Sequence, residues 1–543
     1  MNQGQTPKNK RDFRVLIVYP NLPGMMLVPI AIGLFTRILK DQGYQADLFD
    51  TSLYEETEET GNIARERAEK LQSRSFSFSD NLGVDAKPDM FSDFRRKVET
   101  FRPDLMIISA VENTFLRSVR LIGLVEDMKI PHLLGGVFPT SAPEICFDFP
   151  EVRMIAIGEG ERTIVQVAEA LRTGAPLHDI PGTWFKDDKG RVVQNPMQPL
   201  ADINRVIPDF SLIEDVRFMR PLGGRFFRTI TVESYRGCPY SCTYCNSPNQ
   251  RAISKENDLG NFLRRKTLDV LRNELRANIE AIEPNCVFFI DDSFLARPRR
   301  EIFDFCDMYE EFRLPFWFNT RPENCEPDTL ARLKEVGCYR MTFGLECGNE
   351  EYRSRILQRR TSNAKYLERY EIIAASGIPF NLNVIIGMPG ETRELVMDTV
   401  EMVRSIPGYD SLSVNAFTPY IGTHLRRVCE KNGWIDPKAI AKHFTSESIM
   451  KMAKPYLSGP EIDSLATVFP LYCYFPKSDW EKLRRAEEND RKGLAIRERY
   501  AAIYRDKFLG ETQDSIKERF ETADAPFRVS PKRLTEEQFV YLT

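Results

Sequence analysis

Cys238, Cys242 and Cys245 fall within eight positions in the stretch RGCPYSCTYC, and no other cysteine or histidine lies close by in sequence. Thiolates ligate soft and borderline metals. Structural zinc closes four ligands, and here the local sequence supplies three in the spacing CxxxCxxC. Two readings stand. A distant fourth ligand completes a zinc site, or the three thiolates hold an iron–sulfur cubane and leave one iron open to an exogenous ligand. The second would suit chemistry as well as electron transfer.

The rest of the chain narrows the setting. Its 543 residues suggest about three or four domains, with 42% hydrophobic and 28% charged residues. A net charge of −4 and pI near 5.9 give no global basic excess for nucleic acid or an anionic membrane. The polar start MNQGQTPKNKRDF lacks an apolar signal core, and no apolar run approaches a membrane span. The expectation is a cytoplasmic protein. A disulfide framework is not expected for the eleven cysteines. Cys286, Cys306, Cys338 and Cys473 lie within or beside apolar runs and read as buried free thiols.

Two alternations of strand and helix must position the cysteines. The first has strands expected at 14–21, 45–52, 104–111, 131–137 and 153–161, with helices over 28–44 and after 161. Residues 53–100 read as a helical insertion, 184–194 as a hairpin and the Pro-rich 196–225 as a linker. This half predicts an open parallel sheet with helices on both faces. Ligands bind such sheets at the strands' carboxyl ends. No GxGxxG and no GxxxxGK[ST] is present, so a dinucleotide site and a P-loop are not supported.

The second alternation has strands at 229–237, 286–294, 315–321, 339–347, 380–390 and 411–420. Six strand–helix units predict a partial parallel barrel over 226–425, with functional residues at strand carboxyl ends. Glu326 and Glu391 sit where a helix amino end favours negative charge. Residues 426–543 read as a helical region, and the mixed charges of 476–510 as a solvated helical face.

The cysteine stretch, placed after the first barrel strand, resembles the cluster motif of the radical S-adenosylmethionine (SAM) superfamily, including Tyr244 before the last cysteine. The resemblance implies that Cys238, Cys242 and Cys245 hold a 4Fe–4S cluster whose open iron binds SAM. FIDDSF (289–294) is similar to a second-strand motif and puts Asp291 and Asp292 near the rim, Asp292 toward the cosubstrate or either residue as a helix cap. FGLECG (343–348) resembles the fourth-strand motif, with Glu346 as a cosubstrate ligand or a salt-bridged rim carboxylate. NVIIGMPGET (383–392) looks like the adenine-packing segment, with Ile385 and Gly387 as the residues carried over, while Arg321 pairs with an acid or with the cosubstrate carboxylate.

The sheet domain followed by this barrel is similar to the cobalamin-binding branch of the superfamily. On that resemblance Ser109, Gly135, Gly136 and Val137 approach cobalamin, as do Gly158, Glu159 and Gly160 of the GEGE turn. That turn is either an anion nest or an ordinary strand-to-helix turn ending at Glu161. The DxHxxG motif of some cobalamin proteins is absent, and His132 reads as structural. The methylthiotransferase branch is not supported, because residues 1–200 contain only Cys146. The implied activity is methyl transfer to an unactivated carbon through a 5′-deoxyadenosyl radical, on a small-molecule or biosynthetic-intermediate substrate, with flavodoxin or ferredoxin as reductant. A radical cyclase, oxidase or mutase is the alternative enzyme class. A cobalamin-binding regulator with a degenerate barrel is the non-catalytic one.

Overall fold

In the computed structural model, residues 7–55, 62–75, 77–223, 225–443, 445–507 and 509 are described. The first sheet has strands β1 (Arg14–Tyr19), β2 (Gln45–Asp50), β3 (Leu105–Ser109), β4 (His132–Gly135), β5 (Met154–Ala156), β6 (Thr183–Lys186) and β7 (Val192–Gln194), in the order β2-β1-β3-β4-β5-β6-β7. β1 to β5 are parallel, and the β6–β7 hairpin continues the edge antiparallel. The VLIV run of β1 is fully buried because both faces are covered. Val15 and Ile17 share a core with Leu34 and Ile164 of helices Ile30–Asp41 and Gly160–Thr173. Leu16 and Val18 share another with Phe94 and Phe115 of helices Met90–Phe101 and Glu112–Gly123. The chain leaves β1 first to β2 and then to β3 on its other side, so the sheet's switch point lies between β1 and β3.

The second sheet contains β8 (Met219–Leu222), β9 (Arg225–Val232), β12 (Cys286–Phe289), β13 (Phe316–Thr320), β14 (Cys338–Glu346), β15 (Phe380–Ile386) and β16 (Ser411–Ala416). A two-residue ribbon of β10 (Tyr235–Arg236) and β11 (Arg264–Arg265) stands apart at its rim. Six strands, β9 and β12 to β16, run parallel in chain order, and β8 pairs antiparallel with the outer edge of β9. Alternation sends Phe289, Phe316 and Phe318 outward. There Phe289 meets Phe305 edge-on at 5.2 Å and Phe316 meets Tyr309 at 4.9 Å, both on helix Arg299–Tyr309. Phe288 and Trp317 therefore face the lumen.

Three expected regions differ in detail. Within 53–100, helix Met90–Phe101 belongs to the sheet's own second layer, since Met90, Phe94 and Val98 are buried in its core. The insertion proper is shorter and lies against the half-barrel's last strand, where Gln72 Nε2 donates to Val414 O at 2.5 Å. Residues 196–225 are more than a linker. They supply β8 and Arg217, which is 1% exposed, pairs with Asp50 at 2.9 Å and donates to Met25 O at 2.7 Å. The sequence around 217 looked irregular because its partners lie in the other sheet.

Beyond the barrel, helix His424–Lys431 straddles the expected 426 boundary. Helix Gly459–Tyr474, started by a Ser458–Glu461 capping box, packs on β16 and on helix Arg393–Ser405. The 476–510 run is not wholly a solvated face. In helix Arg491–Lys507 Tyr500, Ala501 and Tyr504 are buried, and Tyr504 meets Tyr474 edge-on at 5.0 Å. Residues 511–543 of the expected helical region lie outside the described residues.

Candidate functional site

The cysteine loop leaves the carboxyl end of β9. Gly237 starts it at φ +96°, where a Cβ would stand 2.7 Å from Phe262 O, so the turn demands glycine. Arg251, from helix Ser247–Glu256, pins the loop by donating to Pro239 O at 2.7 Å and Ser241 Oγ at 2.8 Å. Thr243 Oγ1 donates to Ile356 O at 2.7 Å. Of the eleven cysteines, only Cys238, Cys242 and Cys245 are partly exposed, and the other eight are buried. Burial pushes the Cys238 thiol up to about 11 and Cys245 up to about 12, and the nearby Asp292 carboxylate adds to both. Thiolates there call for a cationic partner, and a metal centre supplies one. No three His, Cys, Asp or Glu side chains among the described residues converge on a point suited to a single metal ion. Three partly exposed thiols on one short loop are the donors that a cubane takes at three of its corners. The donor set therefore fits an iron–sulfur cluster.

Tyr244 and Glu346 meet through a residue that the sequence reading missed. Arg359 Nη1 donates to Glu346 Oε1 and to Tyr244 OH, both at 3.1 Å, while Nη2 donates to Gly344 O at 2.6 Å. Glu346 has φ +66° and sits at a break in the β14–β15 register after Gly344. A non-glycine residue in that conformation is held there by its surroundings. Burial raises the Glu346 carboxyl although Arg359 opposes it. The signal for Arg359, one of four arginines in EYRSRILQRR, is too common to single out from sequence.

Asp291 and Asp292 divide the roles expected for them. Neither caps a helix, because residues 292–295 form turns. Asp291 is 2% exposed. It accepts from Ser234 N at 2.8 Å, Tyr235 N at 3.0 Å and Arg297 Nη2 at 2.5 Å, fixing the chain that enters the cysteine loop. Asp292 is exposed toward the thiols. Arg321 takes the acid-paired alternative, bonding Glu323 at 2.6 Å and stacking on Tyr240 of the cysteine loop at 3.8 Å. Gly387 has a structural reason to be glycine. Its φ is +78° and a Cβ would lie 2.6 Å from Ile462. Its N–H donates to Glu391 at 2.5 Å. Glu391 thus folds back on the β15 turn instead of serving the helix dipole, and burial pushes its carboxyl up to about 8. Ile385, on β15, is half-buried and faces the same way as Asn415 of β16.

A cavity of about 370 Å³ lies between the first sheet and the barrel rim. Ser109, Gly135, Gly136, Val137, Gly158, Glu159 and Gly160 all line it, and Glu233, Arg236 and Gln250 form its barrel wall. Thr140 ties the two glycine turns together, donating to Gly136 O at 2.8 Å and accepting from Gly158 N at 3.0 Å. Gly136 is required by its own backbone, since at φ +116° a Cβ would stand 2.2 Å from Ala110 O. The GEGE turn leads from β5 into helix Gly160–Thr173, with Glu161 in the first turn, and its carboxylates are committed. Arg236 pairs with Glu159 at 3.1 Å, Glu161 at 2.8 Å and Glu233 at 2.9 Å, and Arg264 adds a second bond to Glu159. Burial would raise Glu159, but Arg264 and Arg236 bring it below the usual carboxylate range. Arg236 stands two residues before Cys238, so one guanidinium joins the cavity wall to the cysteine loop. Among the described residues no histidine lines the cavity. His132 is buried, accepts from Arg153 N at 3.1 Å and is lowered to about 4 by burial and the charge of Arg153. The size and the largely apolar lining, with Leu34, Phe35 and Leu259, fit part of a large cofactor.

A half-barrel carrying three partly exposed thiols at its first loop, joined to an open sheet with a cavity at the junction, defines a class of cofactor-dependent protein. Residues 232–403 match the radical SAM superfamily. It is 27% identical over 397 residues to an uncharacterised methyltransferase of Pyrococcus horikoshii, covering 68% of this chain and 81% of that protein. It is 22% identical over 532 residues to cytidylyl-2-hydroxyethylphosphonate methyltransferase of Streptomyces wedmorensis, covering 87% and 93%. The fold is similar to that of the radical SAM methyltransferase TsrM from Kitasatospora setae with cobalamin and 4Fe–4S cluster bound. The TM-score is 0.60 at 14% identity, over 91% of this chain and 99% of that one.

Proposed function

We propose that the protein is a cobalamin-dependent radical SAM methyltransferase acting on an unactivated carbon. The observation that carries this reading is the shared wall. Arg236 lines the junction cavity and leads directly into the cysteine loop, so two cofactor sites adjoin. When bound, the cluster supplies the electron that cleaves SAM, and cobalamin serves as the methyl carrier.

The chain's own residues hold and orient. Cys238, Cys242 and Cys245 ligate the cluster. Glu346, fixed by Arg359, and Asp292 face the cosubstrate's polar groups, while Ile385 packs against its adenine. Ser109, Gly135, Gly136, Val137 and the 158–160 turn receive cobalamin's nucleotide tail. Arg321, held by Glu323, and Gly387, held by Ile462, shape the site from behind. The domains follow as 1–195, a connecting 196–225, the barrel 226–425 and the remainder. Two similar proteins are named methyltransferases, and one name specifies a phosphonate substrate, which supports methyl transfer over other radical reactions.

A small-molecule substrate and an electron donor follow from the class, and flavodoxin or ferredoxin is the donor proposed. Among the described residues no helix is long and apolar enough to cross a membrane. All eleven cysteines are free, which suits a reducing, cytoplasmic setting. The test is anaerobic turnover with a chemical reductant. Formation of both 5′-deoxyadenosine and S-adenosylhomocysteine is expected. 5′-Deoxyadenosine alone would reject methyl transfer, and neither product would reject the reading.

A further inference from the structure

The barrel lumen holds a charge that the protein does not balance. Arg220, on β8, lays its guanidinium over the rings of Trp317 at 4.4 Å and Phe288 at 4.7 Å, themselves stacked at 4.0 Å. No ion pair to Arg220 forms among the described residues, and its Nη1 is buried without a hydrogen-bond partner. Burial, and after it the positive charge of Arg67 from the insertion, lower its pKa from the ordinary 12.5 to about 9. Trp317 is 8% exposed, and its Nε1–H likewise has no partner. The contrast is Arg340, in register with Trp317 on the next strand, which is paired with Asp410. Buried charges are ordinarily paired and buried donors bonded. Two orphan donors and a neighbouring second guanidinium, walled by Phe227, Ile290 and Leu27, form an incomplete site.

We propose that the lumen takes an organic oxyanion, a phosphonate, phosphate ester or carboxylate. Its charged group would be received by Arg220 and the Trp317 Nε1–H, with its apolar body against Phe288 and Trp317. This deepens the methyltransferase reading by naming the substrate class and rests on it. Arg220 then acts as a specificity residue, not as a plug of the barrel floor.

The test is anaerobic calorimetry on the reconstituted protein with phenylphosphonate as probe and benzyl alcohol as its neutral counterpart. Phenylphosphonate is expected to bind and benzyl alcohol not to. Arg220→Gln should weaken phosphonate binding at least ten-fold, Arg220→Lys less, and Trp317→Phe, which keeps the ring and removes the donor, about three-fold. Equal binding of the neutral probe, no binding of the phosphonate, or wild-type affinity in both Arg220→Gln and Trp317→Phe would overturn the proposal. If Arg220→Gln loses its cluster, Trp317→Phe decides alone. 5′-Deoxyadenosine formation in the same wild-type sample reads the radical assignment separately. Its absence beside bound phosphonate rejects that assignment and leaves the anion site standing.

Discussion

Replacing Arg359 with methionine keeps most of the side chain's volume and removes the charge that faces Glu346. The Arg359 side chain is 2% exposed and that of Glu346 12%, so neither group has bulk water to fall back on. Removing one partner of a buried pair costs roughly 3–5 kcal/mol. The loss should depend on pH in a defined direction. Burial already raises the Glu346 carboxyl above its ordinary value of 4.5, so the folded state binds its proton more tightly than the unfolded state. Stability therefore falls as pH rises from the unfolded value through the folded one. Without Arg359 the folded value rises further and the falling window widens upward. At pH 5 the variant can protonate Glu346 and lose little of the pairing energy. At pH 8 it must bury the bare carboxylate or protonate it against the solution. The assay is urea unfolding of the anaerobically prepared apoprotein, following the first transition because a multidomain chain need not unfold in one step. With an m-value of about 3 kcal/mol/M, the midpoint should drop by about 1 M or more at pH 8 and clearly less at pH 5. Equal midpoints for both proteins, or an equal drop at both pH values, would refute the burial of Glu346 as a carboxylate held by Arg359.

Asp291→Asn should leave Arg297 without its acid and loosen the Ser234–Tyr235 entry to the cysteine loop. Iron content after reconstitution should fall several-fold, measured against Cys242→Ser, which should lose the cluster while keeping wild-type circular dichroism. Gly136→Ala places a Cβ 2.2 Å from Ala110 O at φ +116°, so soluble yield and cobalamin retention should both drop sharply in absorbance after gel filtration. Glu391→Gln removes a carboxyl raised to about 8 by burial. Wild-type stability should decline between about pH 4.5 and 8 by an amount on the order of a few kcal/mol, and the variant's decline should be smaller by thermal midpoint. Arg236→Met breaks the two pairings, to Glu159 and Glu161, between the sheet domain and the barrel rim, so limited proteolysis near residues 196–225 should accelerate.

The strand–helix alternation of both sheets was legible because parallel strands buried on both faces must be continuous apolar runs, as in RVLIVY and CVFF. The cysteines were legible because their spacing is local. What escaped depends on partners far apart in sequence. Arg217 binds Asp50 across 167 positions, and Arg236 reaches Glu161 across 75. Arg359 reaches Tyr244 across 115. Helix Met90–Phe101 was hidden inside a polar region because its buried face is only Met90, Phe94 and Val98. Gly136 and Gly387 drew attention as glycines next to ligands, but their conformations and the closeness of Ala110 and Ile462 already require them.

The central claim is that the cysteine loop and the junction cavity hold two metal cofactors side by side in one chain. Elemental analysis tests it most directly, on protein reconstituted anaerobically with iron, sulfide and hydroxocobalamin and then passed through gel filtration. The account predicts about four irons and one cobalt per chain, with Cys242→Ser losing the iron and keeping the cobalt. Iron retained at full occupancy with no cobalt would contradict it.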